Sequence, residues 1–318
     1  MTSKIHSQPV MEPQPVNALS FDLEHWYSAT LVADDTTEPE DHIERSTEIV
    51  LELLDKHDVS ATFFVVGQVA AEYPSLVRSL VQKGHEVASH GHTHTPLFEL
   101  TKAEFAEELE QSANAIRQAT GVDPIGFRAP NFSITPKTAW AFDVLNASEY
   151  RYDSSVFPVK TPLYGVSDAP TAPYVVSSSL SPFDVGMAYS GSGIVEFPIS
   201  VVETPLERFS GYGFPTRIPF SGGFYARVLP SMLLRRFVRQ VNRQGRPVNL
   251  YFHPWEFNEQ VQIEGLPIHK RLVSYYGMDK AIQKLDNLLH EFEFDTVQSV
   301  LSPELTETTD RTSTTQVH

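Results

Sequence analysis

The sequence contains no cysteine. Disulfides, thiolate metal ligands and a thiol nucleophile are therefore excluded, and any bound metal must sit on His, Asp or Glu. No run of about 18 apolar residues occurs, so no membrane-spanning helix is expected. The opening stretch, MTSKIHSQPVMEPQPVNAL, lacks the apolar centre of a secretory signal. The expected compartment is the cytoplasm, with a peripheral place on the inner face of the membrane left open. Cations are scarce: 24 Lys and Arg stand against 40 Asp and Glu, a formal charge of −16. Summed over the molecule, that charge repels phosphate backbones and acidic lipid, so no nucleic-acid partner is expected.

What is present suits a globular fold. Hydrophobic residues make up 41% of the 318 and aromatics 11%, enough to bury a core. Residues 1–16 are rich in Pro and Gln, and residues 302–318 are polar and Thr-rich; both are expected to be loose. Between them, over 17–301, short apolar runs alternate with amphipathic stretches. Strands are expected at 17–23, 61–66, 86–89, 125–127, 195–201 and 248–252, and near 295–297. Helices are expected at 42–57, 68–83, 101–120, 137–145, 230–244 and 270–290. Thr101 and Glu104 form a capping box for one of them, and Gly121 closes it. Strands alternating with helices imply parallel β–α units. The class is therefore α/β: a distorted (β/α)7-type barrel with a long irregular insertion before the last strands.

In such barrels the chemistry gathers at the C-terminal ends of the strands. Five expected strand ends carry polar or ionisable groups: Asp22-Leu23-Glu24-His25-Trp26, Ser89-His90-Gly91-His92-Thr93-His94, Arg128-Ala129-Pro130-Asn131-Phe132, Tyr152-Asp153-Ser154-Ser155 and His253-Pro254-Trp255-Glu256. His90 and His94 are four apart, which in a helical turn sets both imidazoles on one side. Two imidazoles with a carboxylate from a neighbouring strand make three protein ligands and leave a position for water, the plan of a catalytic zinc site. His85 and His92 alternate with the pair and are expected to face solvent or the surroundings of the site. The Gly-rich runs 210–215 and 221–223 lack the context and the Lys of a phosphate loop and are read as a mobile lip over a groove.

At these residues the chain resembles the polysaccharide deacetylase family, also called the NodB-homology or carbohydrate esterase family 4 group. Gly84 to His94 resembles the family's second motif, Arg128-Ala129-Pro130-Asn131 the third, and Leu250-Tyr251-Phe252-His253 the last. Phe252-His253-Pro254-Trp255-Glu256, with 196–198 and 221–225, resembles the branch carrying a DUF3473 region and associated with exopolysaccharide gene systems. The first motif departs from the usual pair of adjacent aspartates, reading Asp22-Leu23-Glu24-His25.

The resemblance implies a hydrolase that removes N-acetyl groups from N-acetylhexosamine residues of a polysaccharide or glycan precursor. It implies a divalent metal, Zn2+ first and Co2+, Ni2+ or Mn2+ as alternatives, on Glu24, His90 and His94, with His25 as the alternative third ligand. Asp22 carries over as the base and Arg128 as the group that holds it. His253 carries over as the general acid, and Asp153 as the acid that orients that histidine. Asn131 is a candidate oxyanion donor through its backbone N–H, and Trp26, Phe132 and Trp255 are candidates for stacking on sugar. Two other readings stand beside this one: hydrolysis of a small cyclic amide or ureide, and a catalytically inactive glycan-binding module. Oligomeric state is not legible.

Overall fold

The computed structural model describes residues 14–28, 40–159, 161, 164–176, 183, 193–204, 216–262 and 266–306. Strand β1 (Asn17–Leu23) is buried along its whole length. Its alternation explains the architecture. Leu19, Phe21 and Leu23 join a large cluster that includes helix residues such as Val50, Leu54 and Leu285. Ala18 instead joins Phe64, Ala88, Tyr152, Val195 and Phe197 in a separate cluster. The two faces of one strand thus feed two cores, an outer one under helices and an inner one enclosed by the curled sheet. β2 (Thr62–Val65) repeats the pattern, with Phe63 and Val65 outward and Phe64 inward.

The remaining strands are β3 (Glu86–Ser89), β4 (Gly126–Phe127), β5 (Tyr152–Asp153), β6 (Tyr174–Val176), β7 (Ile194–Glu196), β8 (Val201–Glu203), β9 (Arg217–Pro219), β10 (Asn249–Phe252) and β11 (Phe294–Asp295). Among the described residues the main sheet runs β10-β1-β2-β3-β4-β5-β7-β6, with β11 on the start of β1. From β10 to β7 every pairing is parallel; β6 is antiparallel on β7. The expected barrel is therefore present as a curled sheet of parallel strands, with no ladder from β7 to β10 among the described residues. Irregular chain spans that gap. The Asn249 N–H donates to Ser200 Oγ (2.8 Å), Tyr251 N–H donates to the Ser221 carbonyl (2.9 Å), and Gly222 bridges Tyr251. The strand expected over 195–201 breaks accordingly: β7 ends at Glu196 and β8, which starts at Val201, pairs among the described residues with β9 alone.

The helices are α1 (Ile43–His57), α2 (Gly67–Glu72), α3 (Pro74–Gln82), α4 (Lys102–Thr120), α5 (Ala141–Asn146), α6 (Gly223–Val228), α7 (Ser231–Asn242), α8 (Ile268–Tyr275), α9 (Ala281–Glu291) and α10 (Val297–Val300). The capping box on Thr101 forms as expected, and Gly121 ends α4 at φ 79°. Two expected helices are each divided. Pro74 separates α2 from α3, because it has no N–H to give and disfavours helical backbone at Tyr73. Gly277, at φ 76°, separates α8 from α9. Two further expectations are corrected. Residues 137–140 precede rather than open α5, and the strand near 295–297 ends at Asp295, where Thr296 caps α10 by accepting from Ser299 N–H.

The floor of the barrel is closed at the N-terminal ends of the strands. Glu86 accepts from the Tyr152 hydroxyl (2.7 Å) and the Thr62 hydroxyl (2.6 Å), and Val297 and Leu301 pack beneath. The boundary expected at 301 is corrected by the same packing. Residues 302–306 are helical and Leu305 is buried in the inner cluster. Residues 1–13 and 307–318 lie outside the described residues.

Candidate metal centre and active site

The opposite end of the barrel holds the ionisable groups. Glu24, His90 and His94 are all buried and bring one ligand atom each within 4.8 Å of one another, the group among the described residues that could hold a metal ion. The two histidines do not share a helical turn. The chain leaves β3 as a bent loop, with Gly91 at φ 75° and His94 at φ 61°. A non-glycine residue at positive φ costs on the order of 1–3 kcal/mol and persists only where its surroundings fix it. Here Glu108 of α4 accepts from the backbone N–H of His92 (2.7 Å) and Thr93 (2.9 Å) and from the Thr93 hydroxyl (2.8 Å). The loop thus delivers His94 Nε2 to within 2.5 Å of Glu24 Oε2.

These atoms fit a cation. Glu24 Oε2 is buried and makes no hydrogen bond, even though His94 Nε2 is so close. A carboxylate oxygen and an imidazole nitrogen brought this close in a buried site are a donor pair suited to a cation. His90 Nδ1 lies 2.8 Å from the Arg128 carbonyl, which fixes its proton there and leaves the Nε2 lone pair for a ligand role. Burial, partly opposed by Asp22, pushes His90 down to about 4, so its neutral, ligating form prevails at neutral pH. Burial works against ionisation of Glu24, but His94, His253 and His90 outweigh it and hold the carboxyl down to about 2. His25 lies elsewhere. It faces Asp41 (3.6 Å) and Glu72 (3.4 Å) and stacks on Tyr27.

Asp22 sits beside this group, with Oδ2 4.0 Å from His90 Nε2. Alternation along β1 points Ser20 and Asp22 into the barrel. There Arg128, fully buried, donates to Asp22 Oδ1 (2.6 Å) and Ser20 Oγ (3.0 Å). Its other nitrogens donate to the Ser154 carbonyl and hydroxyl (3.0 Å each), and the guanidinium lies 4.0 Å over the Phe64 ring. Four hydrogen bonds from one fork hold the guanidinium in place, and with it the carboxylate it pairs.

His253 stands across from the metal group, with Nε2 3.4 Å from Glu24 Oε1. The expectation that Asp153 orients it is corrected. His253 Nδ1 lies 2.9 Å from Glu256 Oε1, and Glu256 Oε2 accepts from Arg227 Nε (2.6 Å). Gly223 is the reason this carboxylate fits, since a Cβ there would collide with it. Burial disfavours the imidazolium, but the bond to Glu256 and the charge of Glu24 override it and raise His253 to about 9. Asp153 is buried in another network. It accepts from the Ser155 hydroxyl (2.6 Å), which in turn accepts from Ala129 N–H (2.7 Å). Its neighbour across β5–β7 is Glu196, whose carboxyl is pushed well up by burial and by the like charge of Asp153. Glu256 and Arg227 were missed as site residues in the sequence. The available signal was Glu256 three residues after His253, on the same short turn.

One pocket joins these groups. It is lined by Asp22, Glu24, His90, His94 and His253, with Trp26, Asn131, Phe132, Phe224 and Trp255 around them. Asn131 and Phe132 occupy left-handed backbone at φ 55° and 49°, which turns the chain after Pro130 toward the pocket. Trp255 stacks on His253 at 5.1 Å. Trp26 donates from Nε1 to the Glu40 carbonyl, and Phe132 packs on Tyr251, Phe157 and Tyr164, so both also serve the packing. Two expectations change. Residues 221–223 form no lip: they are buried against β10 and open α6, while 210–215 lie outside the described residues. His85 is a core histidine, 6% exposed, that accepts from Ala61 N–H and packs on Phe63.

Comparison with known proteins agrees with this geometry. Residues 26–152 match the polysaccharide deacetylase family model, and residues 154–302 match a domain of unknown function, DUF3473. The chain is 39% identical over 99 residues to a chitooligosaccharide deacetylase of Bradyrhizobium sp. (strain ANU 289), covering 31% of this chain and 43% of that protein. It is 28% identical over 128 residues to the peptidoglycan-N-acetylglucosamine deacetylase PgdA of Listeria monocytogenes serotype 1/2a (strain 10403S), covering 37% of this chain and 27% of that one. The matches thus span less than half the length of these relatives. A crystal structure from Mycobacterium smegmatis, assigned to the polysaccharide deacetylases, shares the fold at a TM-score of 0.59 and 21% identity, over 94% of this chain and 92% of that one. Asp22 and Glu24 lie just before the first matched span, and His253 and Glu256 lie in the second, so the pocket is assembled from both parts. The two models together take in residues 26–302 almost without a break, and these matches support a polysaccharide deacetylase family for the chain.

Proposed function

We propose that this protein is a metal-dependent hydrolase that removes N-acetyl groups from N-acetylhexosamine residues of a polysaccharide or glycan precursor. The observation that carries the reading is the convergence of Glu24, His90 and His94 between an arginine-held Asp22 and a protonated His253, all in one pocket. Glu24, His90 and His94 would hold the divalent ion, Zn2+ or a similar ion, which when bound supplies an acidified water and polarises the amide carbonyl. Asp22 accepts the proton of the attacking water, and Arg128 keeps its carboxylate aimed. His253, charged at neutral pH, delivers a proton to the departing sugar nitrogen. Glu256 orients that imidazole through Nδ1, leaving Nε2 toward the reaction. Asn131, by its backbone N–H, is assigned to the carbonyl oxygen. Trp26, Phe132 and Trp255 offer apolar faces to a sugar ring.

The test is acetate release from N-acetylated chitooligosaccharides, with and without chelator. Release should require the metal and vanish in Asp22→Asn. Undiminished release after chelation refutes the metal mechanism. Turnover of cyclic ureides with none of acetylated sugar transfers the assignment to that chemistry.

A further inference from the structure

Apolar exposure on this molecule is concentrated in one place. Ten large hydrophobic side chains are exposed among the described residues, and all but Val16, Phe98 and Val122 fall between 228 and 282. Four belong to α8 and the residue after it: Ile268 (78% exposed), Leu272, Val273 and Tyr276. The others are Val228, Met232 (75% exposed) and Ile282, at the ends of α6, α7 and α9 that face one another. Hydrogen bonds tie these ends together. Arg227 donates to the carbonyls of Val273 (3.1 Å) and Tyr276 (2.7 Å), and Lys284 donates to those of Ala226 (3.1 Å) and Leu229 (2.7 Å). The elements that carry the exposed side chains are therefore held together, and apolar exposure gathered in this way is of the kind that marks an interaction surface.

The patch has a charge of its own. Ile268, Leu272 and Tyr276 are four apart and form a stripe along α8, in which Ser274 is the buried residue. His269, Lys270 and Arg271 lie between them. No acid occurs between Glu264 and Asp279, nor between Glu207 and Glu256, in a chain of net charge −16. At physiological ionic strength charges farther than about 8 Å are screened, so a contact made here meets the local cations and not the molecule's total.

We propose that this face docks on an anionic phospholipid bilayer, with the α8 stripe at the boundary between headgroups and acyl chains. An apolar stripe flanked by cations is what such a boundary binds. A second copy of the chain fits worse, because a twofold contact through this face would bring two basic surfaces together. The location gives the surface a use. Val273, Ser274 and Tyr275 line the active pocket, so docking holds the pocket mouth beside the membrane.

The test is flotation of the full chain with vesicles of phosphatidylcholine, alone or mixed with phosphatidylglycerol. Binding is expected with the mixed vesicles and should weaken as salt is raised. Paired Ile268→Ser and Leu272→Ser should abolish it, while the melting temperature and acetate release from a soluble chitooligosaccharide stay unchanged. Arg271→Gln should weaken binding about fivefold, as loss of one interfacial cation implies. No flotation, equal flotation with both vesicle types, or a dimer in light scattering that the paired substitutions dissolve would each overturn the proposal. Vesicle binding is read without catalysis, so its failure and failure of the deacetylase reading are told apart.

Discussion

Replacing Glu256 by Gln separates the residue that tunes His253, the proposed general acid, from Asp153, the one that the family resemblance implied. His253 rises from an ordinary 6.5 to about 9 despite its burial. At about 1.4 kcal/mol per pH unit, the imidazolium is favoured by about 3 kcal/mol. The largest favourable cause is the bond to Glu256 at 2.9 Å; Glu24 at 3.4 Å comes next. A cation held on Glu24 removes part of that second pull, which leaves Glu256 as the main support in the loaded enzyme. Gln keeps the shape, and its carbonyl can still accept from Arg227, but it carries no charge. The sign is fixed by the direction of the shift. A raised pKa keeps the acid protonated until the pH climbs through it, so removing its cause moves the loss of activity to lower pH. The alkaline limb of kcat against pH should therefore fall by roughly one to two pH units in Glu256→Gln. Asp153→Asn should leave that limb in place, because Asp153 bonds Ser155 and neighbours Glu196. An unmoved limb in Glu256→Gln, or a moved one in Asp153→Asn, would refute the reasoning.

Other outcomes follow from the same geometry. Metal analysis should find stoichiometric ion lost in Glu24→Ala and His94→Ala but retained in His25→Ala, which is turned toward Asp41 and Glu72. Arg128→Met should cost about 3–5 kcal/mol in urea unfolding, because it strands Asp22 as a buried unpaired carboxylate; adding Asp22→Asn should recover much of that loss while activity stays absent. Gly223→Ala should reproduce the pH profile of Glu256→Gln, since the added methyl takes the space of the Glu256 carboxylate; an unchanged profile would show that the carboxylate can shift without losing His253.

Much of the fold was legible because its signals are local. β1 and β3 fall at the expected residues, and α4 is bounded by the capping box and the glycine that announced it. The divisions at Pro74 and Gly277 were also local signals, but an amphipathic pattern that continues across a break hides it. β6, an antiparallel strand of three residues, gave too short a pattern to register. The final turn was missed because a polar segment with one buried leucine reads as a tail; Leu305 is buried only because the barrel floor is there to receive it.

By itself the sequence determined which side chains could do chemistry, and that they stand at the ends of strands. Alternation along β1 is enough to aim Asp22 into the barrel, and the absence of cysteine restricts the metal to imidazole and carboxylate. Only the tertiary structure decided between neighbours. Glu24 and His25 are adjacent in the chain, yet one faces His94 and the other faces Asp41. Glu256 rather than Asp153 reaches His253, because a short turn after β10 brings it back within 2.9 Å, against a glycine that leaves it room. Asp22 meets Arg128 across 106 residues of sequence, a distance set by the curl of the sheet. Local pattern fixes how a segment bends and which face it buries, whereas contacts between segments depend on register and curvature, which many residues set together.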